Sequence, residues 1–62
     1  MIRPAPDDDV EFICPDTDDK LIGVCTGVGP HEVTVLVVKT DEPTRTYHVK
    51  HEAILAVRPY RG

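Results

Sequence analysis

Short β-prone segments separated by turn residues follow one another along this chain, and that pattern constrains its fold more than any other feature. The segment Glu32 to Lys39 (EVTVLVVK) is rich in valine and threonine, which favour extended strands. Apolar residues lie on both of its faces, which is typical of a central strand covered on both sides. The best helical candidate, His51 to Ala56, is poor because it contains β-branched Ile54 and is soon followed by Pro59.

Alternation of apolar and polar residues predicts five strands and an all-β fold. Turn residues separate the strands, as in Pro15 to Asp19 and in Thr40 to Pro43. Five strands within about 50 residues are too short for a two-layer sandwich, so they predict one strongly bent antiparallel sheet that curls into a small open barrel. Gly23 and Gly27 lie where such a sheet needs to bend. The predicted strands comprise residues 10–14, 20–28, 32–39, 45–50 and 53–57.

The predicted core is small for an independent domain. A chain of 62 residues buries only about 60% of the surface that it exposes when unfolded, so it usually needs a further stabilising device. Exposed strand edges offer one, because they pair readily with another chain. The sequence therefore predicts a homo-oligomer, such as a ring, in which the fourth strand pairs with the last strand of a neighbour. The predicted core residues are Val10, Phe12, Cys14, Leu21, Val24, Cys25, Val33, Val35, Val37, Val49, Ile54 and Val57.

The two cysteines are predicted to be reduced core residues. If Cys14 pairs with Leu21 across the first hairpin, Cys25 faces Val10 and lies two pairs away from Cys14, which disfavours a disulfide. No Cys-x-x-Cys pair indicates zinc. A metal site assembled in space from the cysteines and the three histidines stays open as an alternative.

The chain is acidic, with seven Lys or Arg residues against eleven Asp or Glu residues and a formal net charge of −4. It contains no basic cluster, which disfavours extended electrostatic binding to duplex DNA. Many of the acids lie in two segments, residues 1–9 and the turn at residues 15–19. They are either solvated charge or a surface that docks a basic protein.

The chain divides into a lead-in and one domain. Residues 1–9 (MIRPAPDDD) are predicted to be a flexible acidic lead-in, because the two prolines prevent a helix and the aspartates repel one another. Residues 10–60 form the predicted domain. The N-terminus does not resemble a signal peptide, and no apolar run reaches the ~20 residues that span a bilayer. These features predict a reducing, cytoplasmic location.

Two motifs cover nearly the whole domain, from Val10 to Pro59. The first comprises Val10-x-Phe12-x-Cys14, a turn, and Leu21-x-Gly23-x-Cys25. The second comprises Val49-Lys50-His51-Glu52-Ala53-Ile54, then Val57 and Pro59. Together they resemble the motifs of the Sm-like family, and the second is similar to the Tyr-Lys-His-Ala-Ile run of its bacterial Hfq branch, with Glu52 inserted. The resemblance implies an Sm-like or, more broadly, an SH3-like barrel of five strands.

The resemblance also implies a function and a site. Sm-like subunits form rings, and the matching positions here place His31, Lys50 and His51 at the pore. Short single-stranded RNA would stack a base and place a phosphate there. The chain departs from the family in three respects: residues 1–9 supply no helix, Gly29 stands at the family's Asp, and the Asn that reads uridine has no counterpart.

A protein-interaction module is the alternative prediction. It would be an SH3-like module, or one similar to the small Sm-like inhibitors of the Rho transcription terminator, and its acidic loops would dock a basic partner. The negative charge of the chain fits this alternative better than it fits RNA binding. No nucleophile–base pair, glycine-rich phosphate loop or cofactor motif is present. The sequence therefore predicts a protein that is not an enzyme and holds no cofactor or metal.

Overall fold

A computed structural model describes residues 3–59 of the chain. Its strands are β1 (Asp9–Ile13), β2 (Lys20–Val28), β3 (Glu32–Lys39), β4 (Glu42–Lys50) and β5 (Ile54–Arg58), and a single 3₁₀ turn (His51–Ala53) joins β4 to β5. They form one antiparallel sheet in the order β4-β3-β2-β1-β5, which is open between its two edge strands. The predicted all-β fold, a bent five-stranded open sheet, is confirmed. Within residues 3–59, no helix is long and apolar enough to cross a membrane.

The strand boundaries agree closely with those predicted, except at the start of β4. That strand begins at Glu42 instead of Arg45, because Thr40 and Asp41 alone make the turn and Lys39 pairs with Glu42. The register of the β3–β4 pair shifts beside Pro43. An edge strand tolerates proline at such an irregularity, since no neighbour needs its missing N–H group.

The core lies on the inner face of the sheet. Phe12 is its largest side chain, and the ring is tilted against that of Tyr47 with 5.7 Å between the centroids. Leu21 and Val57 are half-buried and pack against the core, as does Tyr47. Most of the predicted core is therefore confirmed. The buried apolar residues are Val10, Phe12, Cys14, Cys25, Val33, Val35, Val37, Val49 and Ile54.

Two predictions about burial are wrong. Val24 is not a core residue but is 39% exposed, because it pairs with Asp9 and Leu36 in a row that points away from the core. β3 is not covered on both sides either, since Val38 is 69% exposed and Leu36 is only half-buried. The reason is the same in both cases: the sheet packs against itself on one face, and no other element within residues 3–59 covers the opposite face.

The pairing of β1 with β2 also differs from the predicted register. Phe12, and not Cys14, pairs with Leu21. Cys14 instead closes a shorter turn, in which its amide donates to the carbonyl of Asp19 (2.7 Å) and its carbonyl accepts from the amide of Asp18 (2.9 Å). Asp18 adopts a left-handed backbone with φ of 62°, which lets the chain reverse at that point.

Part of the acidic lead-in pairs with β2. The amide of Asp7 donates to the carbonyl of Cys25, and the amide of Cys25 donates to the carbonyl of Asp8, both at 2.8 Å. A tight turn precedes this contact, in which the amide of Ala5 donates to the carboxylate of Asp8 (2.8 Å) and Asp7 has φ of 77°. Cys25 therefore faces the lead-in, whereas its predicted partner Val10 pairs elsewhere on β2. Both cysteines are buried free thiols.

Of the two glycines predicted at bends, only Gly23 is required by close packing. A Cβ atom there would lie 2.6 Å from the carbonyl oxygen of Leu36 and 2.6 Å from Cγ1 of Val35, so β3 approaches β2 too closely for any side chain. A Cβ atom at Gly27 would meet nothing nearer than 3.9 Å. The register of the β2–β3 pair nevertheless shifts between Cys25 and Gly27, and this irregularity bends the strand.

Candidate functional site

The three residues predicted at the site lie at the same end of the sheet. Glu32 pairs with Lys50 across β3 and β4, so His31, which precedes Glu32, comes close to Lys50 and to His51, which follows it. His31 and Lys50 are exposed, and His51 is half-buried. The structure thus brings the backbones of these residues together, but it gives their side chains different surroundings.

His51 fastens the 3₁₀ turn to the turn between β2 and β3. Its Nε2 atom lies 3.1 Å from the carbonyl oxygen of Gly29. A carbonyl only accepts, so Nε2 carries the proton and donates. The Nδ1 atom is buried and has no hydrogen-bond partner among the described residues. The side chain therefore has a positioning contact that its sequence context did not reveal.

A groove of about 340 Å³ opens beside Lys50, between the end of β1, the end of β4 and the 3₁₀ turn. We call it the Lys50 groove. Its apolar lining comes from β1, the turn after β1, β4 and the 3₁₀ turn, and polar side chains complete the lining. The apolar residues are Ile13, Cys14, Pro15, Val49 and Ala53, and the polar residues are Asp18, Glu32, His48, Lys50 and Glu52.

Carboxylates dominate the charge of the Lys50 groove. Asp18, Glu32 and Glu52 contribute three acidic groups against the single ammonium of Lys50. Nδ1 of His48 lies 3.6 Å from a carboxylate oxygen of Glu32, and both side chains are more than half exposed. When His48 is neutral it adds no charge, so the groove attracts cations more than anions.

A second hollow of about 210 Å³ adjoins the first and shares Cys14 with it. We call it the Arg45 groove. It lies between the β1–β2 turn and the first part of β4. Its charge is more balanced, because the Nζ atom of Lys39 lies 3.6 Å from a carboxylate oxygen of Glu42. The lining residues are Cys14, Asp16, Thr17, Asp19, Leu21, Lys39, Glu42, Arg45 and Tyr47.

The two thiols differ in their chemistry. The hydroxyl of Thr17 and then the backbone at Asp16 hydrogen-bond to the sulfur of Cys14 and lower the pKa of this thiol, although desolvation opposes the shift. Burial raises the pKa of Cys25, and a hydrogen bond with the backbone at Gly27 opposes this shift only in part. Cys14 is therefore the thiol that ionises more readily.

Four polar residues of the Lys50 groove were not among the predicted site residues: Asp18, Glu32, His48 and Glu52. The acidity of the turn that contains Asp18 was visible in the sequence, and it pointed to a basic partner. Glu32 and His48 become neighbours only through the β3–β4 register. Their proximity was predictable only from the position of the two-residue turn at Thr40 and Asp41.

Comparison with protein-family models found no matching family, and searches among curated proteins and solved structures found no match either. Within residues 3–59, no group of three or more His, Cys, Asp or Glu side chains is arranged to hold a metal ion.

Proposed function

We propose that this chain is a protein-interaction module that binds a basic segment of a partner protein in the Lys50 groove. The observation that carries the proposal is the combination of an apolar lining with three carboxylates, Asp18, Glu32 and Glu52. Lysine and arginine match such a surface, because their aliphatic stems pack on apolar groups while their charged ends reach acids at the rim.

The size and depth of the groove support a peptide-like ligand. Its volume of about 340 Å³ is within the usual range for ligand sites, which is about 300–1,000 Å³. It is lined by β1, β3, β4, the β1–β2 turn and the 3₁₀ turn, so a side chain bound in it would contact several elements together. The net charge of −4 acts in the same direction, because it attracts a cationic partner at long range.

A capped seven-residue peptide of alternating lysine and valine, KVKVKVK, tests the proposal by calorimetric or fluorescence titration. We expect the wild-type chain to bind it and to bind the matching glutamate peptide, EVEVEVE, much more weakly. Replacing two rim carboxylates by Asp18→Asn and Glu52→Gln should weaken binding about tenfold, since each ion pair contributes modestly.

The matched control is Asp9→Asn, which removes an exposed carboxylate from the outer face of β1. This variant changes the net charge but leaves both grooves intact, so it should bind the lysine peptide almost as the wild type does. Equal binding of the lysine and glutamate peptides, or equal losses in the control and the groove variants, would contradict the proposal.

A second candidate function is a ring-forming Sm-like module that binds short single-stranded RNA at His31, Lys50 and His51. The strand order favours it, since β4 and β5 are opposite edges and β4 of one copy is free to pair with β5 of the next. Each subunit would then add one base-stacking and one phosphate-facing group around the pore. The carboxylates beside Lys50 and the contact of the His51 ring with Gly29 disfavour this candidate relative to the first.

Sedimentation and titration with oligo-U and oligo-A separate the two candidates. A monomer at high micromolar concentration would rule out the ring. A confirmed oligomer that binds neither RNA would leave the protein-interaction function. Tight RNA binding with no affinity for the lysine peptide would make the RNA-binding ring the better supported of the two candidates.

Neither candidate involves catalysis or a cofactor. Both place the chain in a reducing compartment such as the cytoplasm, where Cys14 and Cys25 remain thiols.

A further inference from the structure

β4 is an edge strand, and both grooves open along it. Its outer side pairs with no other strand in the described part of the chain. The last three residues of β4 line the Lys50 groove, and Glu42, Arg45 and Tyr47 line the Arg45 groove. Because a nine-residue strand is about 30 Å long, the two grooves together border a free backbone edge of peptide length.

The wall opposite β4 is acidic. It is formed by the β1–β2 turn, in which Asp16 and Asp19 face the Arg45 groove, Asp18 faces the Lys50 groove, and Cys14 lies between them. These three aspartates are exposed. The ion pairs found within residues 3–59 use glutamates of β3 and β4, so the charges of the turn are not neutralised by them.

We infer that an extended basic segment of a partner protein binds along β4 as a sixth strand of the sheet. The inference rests on the proposed function and adds the binding mode to it. The main chain of the segment bonds to the free amides and carbonyls of β4, and alternate lysine or arginine side chains cross the grooves to the aspartates of the turn.

Pro43 limits where the added strand pairs. It has no N–H group, so the free edge offers a continuous series of donors and acceptors only from Thr44 to Lys50. Along this part, Tyr47 is half-buried and Val49 is buried, and both line the grooves. The stems of inward-facing basic side chains therefore have apolar surface to pack on before their charged ends reach the turn.

A basic partner fits this edge better than β5 of a second copy does. β5 is a short strand of five residues (ILAVR) with one cation, Arg58. It would satisfy the backbone of β4 over part of its length, but it supplies one positive charge opposite three aspartates. A seven-residue segment with alternating cations supplies several at the spacing of a strand, in which every second side chain lies on the same side.

Backbone methylation of the KVKVKVK peptide tests the binding mode. Two analogues are needed, one methylated on the amides of the lysines and one on those of the valines. In an added strand, alternate amides point to β4 and the others point to solvent. We expect one analogue to bind at least tenfold more weakly than the parent peptide and the other to bind nearly as well, because only one of them loses its bonds to β4.

The outcomes separate the inference from the proposed function. If the parent peptide binds and both analogues bind as it does, the groove function stands and strand addition is wrong. If the parent peptide does not bind, the proposed function fails and the inference fails with it. If the chain alone assembles through β4 in sedimentation and the peptide does not dissociate the assembly, a second copy occupies this edge and the inference is overturned.

Amide hydrogen exchange of the chain provides a readout on β4 itself. Adding the parent peptide should slow exchange at alternate amides between Thr44 and Lys50, and the weaker-binding analogue should not do so at the same concentration. Slower exchange only at amides of the other elements that line the grooves, with no change along β4, would overturn the inference even if the peptide binds tightly.

Discussion

The inner and outer faces of β3 carry the same residue type in opposite surroundings. Val33, Val35 and Val37 are buried on the inner face, whereas Val38 is 69% exposed on the same strand. A valine therefore indicates an extended backbone, but it does not indicate which face of the sheet is covered. The stability of the domain depends on the inner face, and the outer face contributes β propensity without a packed partner.

Removing the largest inner side chain is the strongest way to test this difference. Phe12→Ala should lower the free energy of unfolding by about 3–5 kcal/mol, because Phe12 is fully buried and in contact with the ring of Tyr47. That loss approaches the whole stability expected of a small domain. Urea unfolding followed by circular dichroism measures it. A loss below about 1 kcal/mol would mean that the inner face is not the packed core described above.

The closeness of β2 to β3 on the inner face is tested by adding a single methyl group. Gly23→Ala should cost about 3 kcal/mol, because the new Cβ would lie 2.6 Å from a backbone oxygen that cannot rotate away. Gly27→Ala is the matched control on the same strand, and it should change the stability by less than about 1 kcal/mol since its surroundings are open. Equal effects at the two positions would contradict the close approach at Gly23.

The same substitution on the two faces of β3 tests the comparison most directly. Val35→Ala should lower the free energy of unfolding by about 2 kcal/mol, because it removes buried methyl groups and leaves a cavity. Val38→Ala should cost no more than about 0.5 kcal/mol in a monomer. A large loss at Val38, especially one that depends on protein concentration, would show that the outer face is covered by a second copy.

The parts of the fold that were predictable from the sequence are those set by local chemistry. The two-residue period and the turn residues located all five strands, and the inward set from Val10 to Ile54 followed from that period. The register between β1 and β2 was not predictable, because it depends on how many residues the turn absorbs. Asp18 adopts a left-handed conformation there, and a sequence rich in aspartate allows several such turns.

The candidate site was predictable only in part, for a related reason. Its acidic turn and the pair Lys50 and His51 were visible, because each is a short run of the sequence, whereas His31 was grouped with that pair only through the resemblance to the Sm-like family. The Lys50 groove is assembled from elements that are separated along the chain, and Glu32 comes beside His48 only through the pairing of β3 with β4. The bond from His51 to Gly29 likewise joins residues far apart in the chain. Such contacts follow from the register, which local patterns leave open.

The smallest expected effect compares two thiols, Cys25 on the inner face and Cys14 at the junction of the grooves. With iodoacetamide at pH 7.5, Cys14 should react faster in the native chain, because its pKa is lowered and more of it is thiolate, whereas burial raises the pKa of Cys25. Peptide mapping by mass spectrometry after short exposures measures the two rates.

Thr17→Val should slow the reaction of Cys14 and leave Cys25 unchanged, because it removes the hydroxyl that stabilises the thiolate. A bound KVKVKVK peptide should also protect Cys14, since this residue lines both grooves. Equal rates at the two cysteines would mean that iodoacetamide reaches the turn and the inner face equally readily. The contrast between the two regions would then not hold.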